Sequence, residues 1–240
     1  MRIAITGSNG FIGSYLKKRL ESDHEIVEWD LKGDRNIKDF TINRCEYVIH
    51  LAALAGVRAS IEEPEKYWVT NVEYTKHIQN TCYHNHVPLL YASSSCIHNW
   101  WLSPYGTTKK VNEETAMPNQ VGLRFTTTYG DKARDNMLIP KLLDSSIEYV
   151  TNHVRDFIHV EDVIDAIVLL MSKDIRLLKP VYDIGTGKGV IVSELAKLTG
   201  YNNLPITEGD PCEAKDNTAN IDNLLELGWK PKHRVEEYVL

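Results

Sequence analysis

No stretch of the 240 residues approaches the ~18 consecutive apolar residues that a membrane-spanning helix needs. A secretory leader is not expected either. Arg2 leads at once into a short apolar run and a glycine turn, with no long apolar segment and no cleavage site. No long run carries charge of a single sign. The 33 acidic residues against 27 Lys and Arg leave a net charge of −6, which points away from nucleic acid or an anionic membrane as a partner. Cysteine is scarce. Cys45, Cys82, Cys96 and Cys212 have the spacing of neither a zinc site nor a redox pair, so no metal is expected, and they read as reduced thiols of a cytoplasmic protein. There is no internal repeat and no low-complexity segment.

What is present is an alternation of strand and helix patterns. Arg2–Thr6, Glu25–Trp29, Tyr47–Leu51, Leu89–Ala92 and Val121–Phe125 are short β-rich runs. Phe11–Glu21, Glu65–Asn85 and Tyr105–Thr115 have helical spacing, the second starting after Pro64. Repeated β-then-α order predicts an α/β fold, a Rossmann-like doubly wound parallel sheet with helices on both faces. After Gly130 the regularity weakens. Met137–Ser145, Val160–Ser172, Ile191–Thr199 and a segment near Ile221–Leu227 look helical, and Val181–Ile184 is a strand expected to return to the main sheet. Residues 1–130, with return segments near 154–185, are expected to form the dinucleotide-binding domain. Residues 131–153 and 186–240 are expected to form a small C-terminal substrate-binding lobe.

The first run ends in Thr6-Gly7-Ser8-Asn9-Gly10-Phe11-Ile12-Gly13. Glycines at 7, 10 and 13 suit a dinucleotide: the first allows a tight turn, the second lets the backbone approach a pyrophosphate, the third lets a helix pack closely on the strand. The helix N-terminus would then offer free N–H groups and a favourable dipole to the anion. Asp30, 17 residues past Gly13, can accept hydrogen bonds from an adenosine ribose and would repel a 2′-phosphate, so NAD is expected; Lys32 and Arg35 keep NADP open.

The glycine turn is followed in order by His50-Leu51-Ala52-Ala53, Ala92-Ser93-Ser94-Ser95, Tyr105-Gly106-Thr107-Thr108-Lys109 and Arg155-Asp156-Phe157-Ile158-His159-Val160. Together these resemble the extended short-chain dehydrogenases/reductases, the NAD-dependent epimerase/dehydratase group. Leu51–Ser60, Thr108–Glu113, Leu123–Gly130 and Arg134 look like the corresponding parts of UDP-glucuronate 4-epimerases, although some UDP-glucose epimerases share parts of them. The resemblance implies that Gly7, Gly10, Phe11, Ile12 and Gly13 hold the pyrophosphate, and that Asp30 binds the adenosine ribose. It also implies that Asn36 and Ile37 flank the adenine, that Leu51, Ala52 and Ala53 line the dinucleotide, and that Arg155 and Asp210 reach the substrate's diphosphate and ribose. Asn36 stands where the family often has Asp, and Thr207 where some members have Arg. Relatives dimerise through the helix after Pro64 and the one after Tyr105; the latter is expected to stop before Pro118, which leaves a homodimer an open question.

Tyr105 and Lys109, four apart, share one face of a helix. A phenol near pKa ~10 is a poor base at neutral pH, but a nearby ammonium and a nicotinamide cation favour the phenolate. Tyr105 can then take the proton of a sugar hydroxyl, and Ser94 can hydrogen-bond the developing ketone. Ser95 and Cys96 stand where dehydratases of the group carry acidic residues, so dehydration is not expected. The reaction that remains is 4-epimerisation of a UDP-sugar, with Arg134 as the clamp for a glucuronate carboxylate and Thr127 and Ser95 as added donors. Rival readings are a UDP-glucose or UDP-N-acetylglucosamine 4-epimerase, a GDP-keto-sugar epimerase/reductase using NADPH with Cys96 in a proton-moving role, and a redox-sensing or scaffold protein that keeps the dinucleotide fold.

Overall fold

Ile3 and Ile5 of β1 (Arg2–Thr6) point to one face of a sheet and Ala4 to the other, and all three are fully buried. That two-sided burial, in the computed structural model of residues 1–240, is repeated in β3 (Tyr47–His50) and β4 (Leu89–Ser94). With β2 (Glu25–Trp29), β5 (Gln120–Phe125) and β9 (Val181–Ile184) they form a six-stranded sheet in the order β2-β1-β3-β4-β5-β9, every pairing parallel. Strands covered on both faces need continuous apolar runs, which is why these segments read as strands in the sequence.

One face is covered by α1 (Phe11–Leu20) and α7 (Val160–Met171), through Leu16, Leu20, Ile164, Ile167 and Leu170. The other carries α4 (Tyr74–His84), with Ile78 and Cys82 packed on Val48, Leu89 and Tyr91, and α5 (Pro104–Glu114). The expected long helix after Pro64 is three pieces: α3 (Pro64–Trp68), a π-helical turn at Val69–Glu73, and α4. A further short helix, α2 (Val57–Glu62), precedes it; no periodicity marked it.

The sheet ends at β2. The doubly wound order 3-2-1-4-5-6 has another strand outside that position; here Asp30 is joined to Tyr47 by little more than two 3-10 turns, Leu31–Gly33 and Ile37–Asp39. Shortening also explains α5. A Cβ on Gly106 would stand 2.9 Å from both the Cα and the carbonyl oxygen of Trp100, so the compressed 3-10 segment Ser95–Leu102 lies directly against the helix.

From Thr127 onward the chain also builds small sheets. β6 (Thr127–Tyr129) pairs parallel with β8 (Val154–His159), which pairs antiparallel with β10 (Gly189–Ile191); β7 (Val150–Thr151) pairs with β11 (Ile206–Thr207). Ile139 and Leu142 of α6 (Leu138–Leu143), Leu195 of α8 (Val192–Leu198) and Val235 of α10 (Val235–Tyr238) form a separate apolar cluster with Tyr129 and Phe157. Leu224 of α9 (Asp222–Glu226) and Trp229 instead join the main core. No helix is long and apolar enough to cross a membrane.

Candidate active site

The site forms beyond the carboxyl ends of the paired strands β1 and β3, where the strand order reverses, β1 pairing with β2 on one side and β3 with β4 on the other; ligands of such sheets sit at this switch point. Gly7 has φ +69°, and a Cβ there would lie 2.8 Å from the Ala52 nitrogen. Leu51 N–H donates to the Thr6 carbonyl (3.1 Å) and Ala52 N–H to Thr6 Oγ1 (3.1 Å), so the end of β3 is laced to the glycine turn. A Cβ on Gly13 would strike the Gly7 carbonyl. Gly10 starts α1, and only the Gly7 carbonyl oxygen, 3.1 Å away, comes within 4 Å of where its Cβ would stand. The turn therefore presents bare backbone, with Phe11 and Ile12 opening the helix. Asp30 Oδ2 accepts from Asn9 N–H (3.0 Å) and Oδ1 from Lys32 N–H (2.9 Å), which fixes its carboxylate beside that turn. Asn36 accepts from Lys38 N–H (3.0 Å), and Ile37 is buried near Trp29 and Phe40. These residues fit a dinucleotide: a cradle without side chains for the pyrophosphate and a carboxylate for the ribose.

Two residues given no role by the sequence reading stiffen this region. Asn71, fully buried in the π turn, accepts from Leu54 N–H (2.8 Å) and donates to its carbonyl (2.9 Å). His50 lies between Thr6 Oγ1 (2.6 Å) and Thr75 Oγ1 (2.9 Å), and burial, aided by the Lys109 charge, pushes it down to about 3, so it is neutral and structural.

Ser94, the last residue of β4, comes together with Tyr105 and Lys109, one turn apart on α5. Ser103 caps α5 by accepting from Gly106 N–H (3.0 Å), Pro104 occupies its first turn, and Tyr105 N–H donates to Ser60 Oγ (3.1 Å). Lys109 Nζ donates to the Ala92 carbonyl (2.9 Å) and lies 5.7 Å from the centre of the Tyr105 ring. Burial lowers the Lys109 ammonium to about 8. The same burial raises the Tyr105 phenol above its ordinary value and outweighs Ser94 and Arg134, which pull it back. The lowering expected from Lys109 is thus not reached by the protein's own charges, because both groups are desolvated together. Cys96 N–H donates to Ser94 Oγ (3.2 Å), and burial raises the thiol, which suits a proton donor poorly.

On the far wall, Ser95 and Thr127 are brought together. Asn217 Nδ2 donates to Thr127 Oγ1 (3.2 Å) and to Ser95 Oγ (3.4 Å), while its Oδ1 accepts from Asp156 N–H (2.8 Å). Arg134 is exposed and donates to the Ala55 carbonyl (3.1 Å), which also accepts from Tyr67 Oη (3.1 Å). In the Arg155-Asp156 pair the two charges part. Asp156 is fully buried and accepts from Thr186, Gly187 and Ala219 amides, whereas Arg155 keeps part of its side chain exposed. Arg155 donates to the carbonyls of Ala214 (2.8 Å) and Val154 (2.9 Å) and pairs with Glu213 (3.2 Å). Asp210 lies 3.8 Å from Arg58, which also pairs with Glu213. Outside the cleft, His159, Glu161 and His233 cluster where the tail meets α7, with His233 Nδ1 3.1 Å from the buried Asp162.

A profile of the NAD dependent epimerase/dehydratase family matches residues 3–116 and 102–185. The chain belongs to that family. Its fold and its NAD dependence are those of the family. Protein CapI of Staphylococcus aureus is 30% identical, the alignment covering all of this chain and 96% of CapI. That alignment runs over 326 positions for the 240 residues here, so the missing length is lost inside the chain. The structure of MoeE5 in complex with UDP-glucuronic acid and NAD is 27% identical, with a TM-score of 0.84, and covers 100% of this chain and 96% of MoeE5. UDP-glucose 4-epimerase from Thermotoga maritima, bound to UDP-glucose, gives 26% identity, a TM-score of 0.83 and the same coverages.

Proposed function

We propose that the chain is a UDP-sugar 4-epimerase that interconverts UDP-glucuronate and UDP-galacturonate. The observation that carries this reading is the far wall of the cleft. Two hydroxyls, Ser95 and Thr127, are held side by side by one amide, and the Arg134 guanidinium shares the Ala55 carbonyl with Tyr67, close enough to pull on the Tyr105 phenol. A buried carboxylate needs a charge partner or several donors; Ser95 and Thr127 would serve as donors and Arg134 as the charge. The carboxylate matters because the C4 ketone of a uronate is a β-keto acid; holding the C6 group so that the C5–C6 bond stays out of line with the ketone protects it from losing CO₂. Relatives of both kinds support the coarser reading: MoeE5 is described in complex with UDP-glucuronic acid, and the Thermotoga enzyme with UDP-glucose.

Gly7, Gly10, Phe11, Ile12, Gly13, Asp30, Asn36, Ile37, Leu51, Ala52 and Ala53 would hold NAD. When bound, NAD supplies the hydride acceptor and donor for oxidation and re-reduction at C4. Tyr105 accepts the C4 hydroxyl proton, Ser94 donates to the C4 oxygen, and Lys109 keeps the phenol oriented and favours its anion. Ser95 and Cys96 supply no carboxylate for elimination, which sets the reaction apart from dehydration. Arg155 and Asp210 would meet the diphosphate and ribose of the UDP group. The cleft would be closed by a lobe made of residues 131–153 and 186–240.

A UDP-hexose 4-epimerase is the second reading, and the exposure of Arg134 favours it, since an exposed guanidinium need not face a sugar. A panel of UDP-sugars decides between them. Turnover of UDP-glucuronate well above UDP-glucose and UDP-N-acetylglucosamine is expected; the reverse order would establish the second reading.

A further inference from the structure

Arg58 lies on α2, on the dinucleotide side of the cleft, and its side chain is half exposed. Its Nε donates to Glu213 Oε1 (2.9 Å), its Nη1 to the Tyr149 hydroxyl (3.1 Å), and Asp210 stands 3.8 Å away. The other oxygen of the same carboxylate, Glu213 Oε2, receives Arg155 from the opposite side at 3.2 Å. Two guanidinium groups from separate parts of the fold thus converge on one small anion with two oxygens.

Arg155 has little freedom. It is anchored to the Ala214 and Val154 carbonyls and to His153 Nδ1 (3.1 Å), so Glu213 is its one side-chain anion and the contact that an incoming anion can replace without disturbing backbone. With Arg58, Arg155, Glu213 and Asp210 together the place is neutral by formal charge. If Glu213 turns outward, one net positive charge and two forks remain, a geometry suited to a diphosphate. Thr207, where some members of the family carry arginine, is exposed on β11 and supplies no charge.

We propose that Arg58 is the second cationic contact for the substrate's diphosphate, opposite Arg155, and that Glu213 holds both guanidinium groups until the diphosphate replaces it. This rests on the UDP-sugar reading above. Calorimetric titration of the NAD-loaded protein with UDP, and separately with uridine, tests it. Arg58→Gln should weaken UDP about 10-fold or more, as expected for loss of a charged hydrogen bond, and leave uridine unchanged. Glu213→Gln, which removes the competing anion, should tighten UDP about 3-fold. Tm and NAD content of both variants should match the unaltered protein.

If the unaltered protein binds UDP and Arg155→Ala weakens it while Arg58→Gln does not, the role of Arg58 is overturned and the UDP-sugar reading stands. Equal weakening of UDP and uridine by Arg58→Gln would make Arg58 a strut between segments, which also overturns it. If the unaltered protein binds no UDP, the UDP-sugar reading itself falls.

Discussion

On the reading proposed above, the chain would meet two anions in two different ways. At the end of β1 the anion site is backbone: three glycines, a helix start, and a turn laced to β3 through Thr6 and Ala52. The proposed diphosphate site is side chain: Arg58 and Arg155, closed on Glu213. A backbone site has no charge to neutralise and cannot collapse on itself, so it stands open. A side-chain site of two cations would repel itself and draws in a carboxylate of its own. The first is rigid and indifferent to small changes nearby; the second depends on salt, on pH and on every charge in reach.

Substitutions separate the two halves, and the backbone half should respond most sharply. Gly13→Ala forces a Cβ into the Gly7 carbonyl. It should abolish bound NAD, measured as nucleotide released on denaturation, and lower Tm by roughly 5–10 °C. Retention of NAD would mean that the turn can move, contrary to its lacing. Next in size, Tyr105→Phe should cut turnover by roughly 10²–10⁴-fold with Tm and NAD content unchanged; wild-type rates would place the base elsewhere.

On the side-chain half, Arg134→Ala should lower kcat/KM on UDP-glucuronate about 30-fold or more and affect UDP-glucose far less. Equal losses on both sugars would make Arg134 a structural contact to Ala55. The smallest expected effect is a pH dependence. Lys109 is lowered to about 8 in the fold against 10.5 in a free side chain, so between those values the unfolded chain binds more protons. Its contribution to stability should therefore rise with pH from about 8 upward and be lost as pH falls through that value. The difference in Tm between the NAD-free protein and Lys109→Met should narrow from pH 7 to pH 9.5; a constant difference would contradict a desolvated ammonium with lowered pKa.

Legibility in the sequence follows the same division. The glycine turn, the six sheet strands and the helices on either side were readable because burial on both faces demands apolar runs and a close backbone approach demands glycine. Ser94, Tyr105 and Lys109 were readable because one strand end and one helix turn carry all three. Asn217, Arg58 and Glu213 were not. Asn217 works on Ser95 and Thr127 from 122 and 90 residues away, and Arg58 meets Glu213 across 155 residues, so no local spacing announces them. Asn71 was missed for another reason: a π turn within a helical pattern leaves the periodicity nearly intact. The missing outer strand beyond β2 left only a short connection, which reads as an ordinary loop.

In the proposed 4-epimerisation the C4 hydrogen cycles inside the site. The direct test is to incubate the NAD-loaded protein with UDP-glucuronate in D₂O and examine the product by proton NMR. UDP-galacturonate that keeps protium at C4 and C5 is expected, with no accumulation of reduced cofactor. Deuterium in the sugar ring, or a product with an altered C6 group, would contradict it.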